Sequence, residues 1–329
     1  MTYDELKEKQ SDVIKMLENS RRKNRLVHSY LFCGDKGIGK LLTAFYFAAM
    51  VLCKSDHKPC LKCNICRRVV SRSHMNVYFV EPEGESIRKE QIEDLQHEFS
   101  MTSLEEGARV YIINHADKMT TAAANTLLKF LEEPIIESYA ILITENLMAV
   151  LDTIKSRSQI INFKKISKRE TALALQRKGL SEEISYICSS LTSSVEEALD
   201  FASSTVFQEM IRFTREMNVS LTNKKRSCFV HYGERGRFLV EEKDRKTHRI
   251  FLDILTLYSQ DKIHLREGNL QSVSFAEGIK DLNITQLPES DTLARELDIY
   301  IEAKERLEYP VNLELFYSKL FLDLDEENL

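Results

Sequence analysis

Gly34-Asp-Lys-Gly-Ile-Gly39-Lys40 matches the pattern G-x-x-x-x-G-K. Backbone N–H groups of such a loop converge on phosphate oxygens, and the terminal lysine adds a positive charge. Glycines suit it because the backbone must come close to the anion. The apolar run Val27–Phe32 before the loop reads as a strand, and the apolar stretch from about Leu41 to Cys53 after it reads as a helix. Strand, glycine loop and helix in that order is the setting a phosphate loop requires. Gly34, Gly37, Gly39 and Lys40 are therefore the candidate nucleotide-binding residues.

Outward from the loop the same alternation continues. Val77–Val80, Val110–Ile113 and Ala140–Thr144 are further strand candidates. Helical spacing lies between them at Arg88–Met101 and at Thr120–Glu133, the latter closed by Pro134. A parallel sheet with helices on both faces follows for residues 25–163. An N-terminal helix over 3–20 is expected from Leu6, Val13, Ile14 and Leu17. After about Phe163 the strands stop. Ser167–Lys178, Ser181–Ser190 and Ser193–Ser203 read as three helices, each opened by a serine as N-cap. The expected organisation is an α/β domain at 1–165, an all-α domain at 166–205 and a second all-α domain at 206–329.

The loop departs from a hydrolysing one in two places. The position after Lys40 should offer a hydroxyl to magnesium, but it is Leu41. The strand Val110–Ile113 should end in an acid that holds the metal, and it ends in Asn114-His115-Ala116-Asp117. Neutral Asn114 cannot offset a metal's charge as a carboxylate does. ATP or ADP is expected, if at all, at a degenerate site without efficient magnesium-dependent hydrolysis.

Cys53, Cys60, Cys63 and Cys66 form C-x6-C-x2-C-x2-C. Two thiolates of a C-x2-C turn can face one ion, and four close a tetrahedral shell with no open position. The expectation is a structural zinc module at 53–66, with His57 and His74 as the alternative ligands nearby. Cys33, Cys188 and Cys228 stand apart and read as buried apolar residues.

The chain of 329 residues is 43% hydrophobic and 29% charged, with a net charge of −5, ten glycines and five prolines. This balance supports a sizeable, helix-rich core. There is no global basic field to hold nucleic acid. The runs Arg21–Arg25 and Lys224–Arg226 read as solvated faces. No apolar run reaches the roughly 18–20 residues of a membrane span. The polar N-terminus does not read as a signal peptide, so a cytoplasmic location is expected.

Together, His28–Phe32, the phosphate loop, the cysteine quartet, Ala122–Pro134 and Thr153-Ile-Lys-Ser156-Arg157-Ser158-Gln159 resemble the bacterial clamp-loader subunits of the AAA+ class. The likeness covers roughly residues 25–163. Within that group the non-motor delta-prime branch is the most similar. Motor subunits keep the acidic pair where this chain has Asn114 and His115. They also carry an arginine in the third lid helix, where this chain has Ser194-Val-Glu196-Glu197. The family's Ser-Arg-Cys motif appears as Ser156-Arg157-Ser158.

The resemblance implies an AAA+ domain with an inserted zinc module, an all-α lid at 166–205 and an all-α collar at 206–329. It implies a hetero-oligomer with motor subunits and the delta subunit. That assembly places the sliding clamp on primer–template DNA. Arg157 would serve in trans as an arginine finger at a neighbour's ATP site, and Thr144 matches the residue that senses phosphate. The chain would not be a catalyst alone. Two other readings remain: an active clamp-loader ATPase motor, drawing magnesium ligands from Asp117 or Glu145, and a zinc-bearing nucleic-acid binding protein.

Overall fold

The computed structural model describes residues 2–100, 107–132, 137–222, 226–269, 273–280, 282 and 287–328. Met101, Glu133, Pro134 and Lys224 of the sequence reading lie outside the described residues. The chain divides into two compact units, Met1–Ile166 and Ser167–Leu329.

The first unit opens with α1 (Tyr3–Lys9) and α2 (Ser11–Arg22). The expected single helix breaks at Gln10, whose backbone leaves the helical region (φ −120°, ψ 38°). Tertiary bonds explain the break. The buried Gln10 side chain donates to the carbonyls of Ile38 and Lys164 at 3.1 and 2.8 Å and accepts from the Lys164 N–H.

Then follow β1 (Ser29–Cys33), α3 (Lys40–Leu52), α4 (Asn64–Val70), β2 (Val77–Val80), α5 (Lys89–Ser100), β3 (Arg109–Ile113), α6 (Thr121–Glu132), β4 (Ser138–Thr144), α7 (Asp152–Lys155) and β5 (Gln159–Asn162). Among the described residues the strands form one five-stranded sheet in the order β2-β3-β4-β1-β5, and every pairing is parallel. β1 begins at Ser29 rather than Val27. Neither β5 nor α4 appears in the sequence expectation.

Parallel strands covered on both faces read as near-continuous apolar runs, and side chains alternate between the two faces. Tyr30 and Phe32 of β1 join Val110, Ile112, Ile141 and Ile143 on the α3 side of the sheet. Leu31 joins Tyr111, Ile113, Ala140 and Leu142 on the α5 and α6 side.

The second unit is helical: α8 (Lys168–Arg177), α9 (Glu182–Leu191), α10 (Val195–Ser203), α11 (Thr205–Thr222), α12 (Cys228–Arg235), α13 (Arg237–Glu241), α14 (Arg245–Arg266), α15 (Ala276–Lys280), α16 (Ser290–Arg306) and α17 (Leu313–Asn328). Ser167 caps α8 in a capping box with Glu170, and Ser181 caps α9. Ser194, not Ser193, caps α10 by accepting from the Glu197 N–H.

One buried ion pair marks this unit's interior. Lys262 Nζ on α14 lies 2.6 Å from Glu296 Oε2 on α16, with both side chains 1% exposed. Asn218 accepts from the same ammonium and Ser259 donates to the same carboxylate. Removing one partner of such a pair strands a buried charge and costs about 3–5 kcal/mol, whereas a packed apolar replacement of both is far milder. Glu296→Ala should lower the second unit's stability by about that amount. Lys262→Met with Glu296→Leu should recover most of it, as measured by urea unfolding followed by circular dichroism.

Candidate functional site

The phosphate loop leaves the C-terminal end of β1. Gly34, Gly37 and Gly39 have φ of 150°, 79° and 98°. At Gly34 a Cβ would sit 2.5 Å from Ile38 Cδ1 and 3.3 Å from Phe163 Cβ. A side chain there would press on both neighbours and would hold a backbone conformation that L residues rarely adopt, so glycine is favoured. Gly39 is the N-cap of α3 in the left-handed region.

Lys40 is buried. Its ammonium donates to the carbonyls of Gly34 and Asp35 at 2.5 and 2.6 Å. Burial pulls its pKa below the ordinary lysine value, while the carboxylates of Glu145, Asp35 and Asp117 work in the opposite direction. The lysine charge is thus held by two carbonyls of its own loop.

Leu41, at the position after Lys40, packs its side chain against the core on the α3 side of the sheet. Thr43 donates to the Gly39 carbonyl at 2.9 Å and serves the helix. Thr144, at the end of β4, donates to Asp117 Oδ1 at 2.8 Å, and the Glu145 N–H donates to the same oxygen. The sequence offers Asp117 only as a magnesium ligand in the motor reading. The structure joins it to Thr144 because β3 and β4 are neighbours in register. Cys33, expected to be buried, is half-buried at the end of β1.

The four cysteines converge. Their sulfurs all lie within 4.8 Å of one another. Cys53–Cys60, Cys53–Cys63 and Cys60–Cys66 are 3.7, 4.0 and 3.9 Å apart. A tetrahedral zinc with bonds of about 2.3 Å has sulfur–sulfur edges of about 3.8 Å, so the cluster is already the size of the ion's shell. The N–H groups of Cys63 and Cys66 donate to the sulfurs of Cys60 and Cys63, and backbone hydrogen bonds hold the Cys60 thiol below its ordinary pKa. Four protein sulfurs leave no position for a reacting group, and zinc bound there would act as a cross-link. His74 is outside the cluster: it is buried, and its Nδ1 accepts from the Asn76 N–H. The guanidinium of Arg72, just past α4, stacks on Phe79 and Phe45, at 4.5 and 5.3 Å from their ring centres, and pins the module to the sheet edge.

Arg157 follows α7 and precedes β5. Because β5 runs parallel to β1, Arg157 lies at the N-terminal edge of the sheet and the phosphate loop at the C-terminal edge. The two are separated by the length of β1, five residues, or roughly 16 Å. The guanidinium is at the surface, with its side chain 37% exposed, and pairs with Glu132 Oε1 of α6 at 2.5 Å. It also donates to the Thr153 carbonyl at 3.0 Å. Next to it, the hydroxyls of Ser158 and Ser29 share a hydrogen bond of 2.7 Å, which ties the turn to β1. The position of the family's motif cysteine thus carries a polar anchor. Glu132 and Ser29 escape a sequence reading because only the sheet order brings them to Arg157 and Ser158.

A relative from Bacillus subtilis (strain 168), DNA polymerase III subunit delta', is 34% identical over 99% of this chain and 99% of its own length. The chain belongs to the delta' family of DNA polymerase III clamp-loader subunits. The family model described as DNA polymerase III, delta subunit, matches residues 9–167. The delta' subunit of Pseudomonas aeruginosa is 36% identical over 40% of this chain and 41% of its own. Among solved structures, a DNA polymerase III gamma-subunit-related protein from Thermotoga maritima aligns over 95% of this chain and 99% of its own, at 15% identity and a TM-score of 0.47. No helix among the described residues is long and apolar enough to cross a membrane.

If the cysteine cluster holds zinc, purified chain should carry about one zinc per molecule, matching its single four-thiolate shell. Cys63→Ser should abolish that zinc by mass spectrometry and lower the first unit's melting temperature.

Proposed function

We propose that this chain is the non-motor scaffold of the clamp loader and lends Arg157 to the ATP site of an adjacent motor subunit. The observation that carries the proposal is the placement of Arg157. It is exposed, on a turn anchored by Ser158 and Ser29, at the sheet edge opposite its own phosphate loop. An arginine so placed cannot serve the nucleotide of its own chain. A guanidinium at a neighbour's triphosphate offsets the charge that develops on the transferred phosphoryl group, and its planar fork suits phosphate oxygens.

The chain's own loop supports the same reading. Gly34, Gly37, Gly39 and Lys40 are the residues that would hold ATP or ADP. Leu41 and Asn114 leave the metal without its usual ligands, and Thr144, the phosphate sensor of the family, already donates to Asp117. The expected partners are the motor subunits and delta, the sliding clamp, and primer–template DNA through the complex. Residues 166–205 would act as the lid and 206–329 as the collar that holds the subunits together.

Two measurements test this reading. The isolated chain should show negligible ATPase activity; robust magnesium-dependent turnover abolished by Lys40→Ala would make it a motor instead. In the reconstituted complex, Arg157→Ala should slow the ATP site it serves by about 10³–10⁵-fold, the range for arginine fingers. Total turnover should fall by that site's share, while the subunits still co-elute in gel filtration. Unchanged turnover with Arg157→Ala would remove the trans-acting role.

A further inference from the structure

The net charge of −5 conceals a local reversal. Residues 54–73 hold six basic side chains, Lys54, Lys58, Lys62, Arg67, Arg68 and Arg72, and one acid, Asp56. Part of that charge has a local purpose, because four thiolates on one divalent ion carry a net charge of −2. Even with zinc bound, and with Asp56 counted, three positive charges remain in surplus.

Two of the six have partners nearby: Arg72 stacks on Phe45 and Phe79, and Arg68 donates to the Ser73 carbonyl. Lys54, Lys58, Lys62 and Arg67 make no ion pair among the described residues. Lys54, Lys62 and Arg67 are exposed and Lys58 half-exposed. Each of Lys54, Lys62 and Arg67 is the chain neighbour of a clustered cysteine. The convergence of the sulfurs therefore gathers these three cations on one small knob. Without the cluster they would be spread along a polar loop.

A second basic stretch reaches the same end of the unit. Gln10 bonds to the Ile38 carbonyl and Glu18 accepts from Tyr46, so α2 runs parallel to α3. The end of α2 therefore lies beside the end of α3, where the cysteine module begins. Exposed Lys23 and Arg25 follow α2.

We propose that the cysteine module is a binding surface for the phosphate backbone of nucleic acid, with Lys54, Lys58, Lys62 and Arg67 as its principal contacts and Lys23 and Arg25 as its extension. Several cations without an ion-pair partner among the described residues, gathered on one small knob, suit a polyanion of regular charge spacing. Such contacts fix position without reading sequence. Zinc would hold the cations in register and touch no ligand itself. The surface lies at the sheet edge opposite the phosphate loop, so it acts apart from nucleotide. The inference is independent of the role given to Arg157.

The test uses the full-length, zinc-loaded chain and fluorescein-labelled single strands and duplexes of about 30 nucleotides, read by anisotropy across a salt titration. The expected result is salt-sensitive binding that weakens at least tenfold in the variant Lys54→Gln/Lys58→Gln/Lys62→Gln/Arg67→Gln. On single strands its log–log salt slope should be shallower by about 3, at about 0.7 per lost phosphate contact. Zinc content and melting temperature should match the parent chain, and Arg177→Gln/Lys178→Gln on α8 should bind as the parent does. Three outcomes overturn the proposal: no binding at low salt, an unchanged affinity and slope in the fourfold variant, or tighter binding of poly-glutamate than of either oligonucleotide. The last would mark the module as a dock for an acidic protein segment.

Discussion

Strand β1 is hydrogen-bonded along both edges, to β4 on one side and β5 on the other, and the functional positions of the first unit are set from its two ends. At its C-terminal end the Gly34 N–H donates to the Thr144 carbonyl, and the Cys33 carbonyl accepts from Phe163. Those bonds fix the take-off of the phosphate loop. At its N-terminal end Ser29 holds Ser158 and with it the turn that carries Arg157. A buried parallel strand cannot shift register without exposing apolar side chains and unpairing backbone groups. The distance between anion cradle and arginine is therefore as rigid as the strand itself.

Charge is handled differently at the two ends. Around the loop, the Lys40 ammonium is buried and held by carbonyls, with carboxylates near it. Low exposure makes each of these interactions stronger than its surface equivalent. At the other end the charges stand in water: Arg157 with Glu132, and the lysines of the cysteine module. There, individual pairs contribute little to stability, and their value lies in what they can exchange partners with.

Sequence patterning exposed the sheet well because parallel strands buried on both faces read as plain apolar runs. Val77–Val80 is found to the residue. β5 stayed hidden because it is an edge strand with only Ile161 of its four residues buried. The single N-terminal helix failed for a reason no periodicity carries, namely the bonds of Gln10 to Ile38 and Lys164. The cysteine cluster was legible because its spacing is local. Asp117 with Thr144 and Arg157 with Glu132 were not legible, since each pair joins residues of different elements. The charge surplus around the cysteines was present in the sequence all along. A chain-wide net charge averages it away, and the structure shows that the sulfurs fold it into one place.

The contact between Arg157 and Glu132 has a consequence for how readily the arginine is released. A guanidinium that shares a carboxylate at the surface exchanges it readily for water or for another anion. A passing acidic side chain offers only an even trade, whereas a polyphosphate offers several oxygens at once. Because a surface pair of this kind is worth about 0–1 kcal/mol, Glu132 steadies Arg157 without locking it in place.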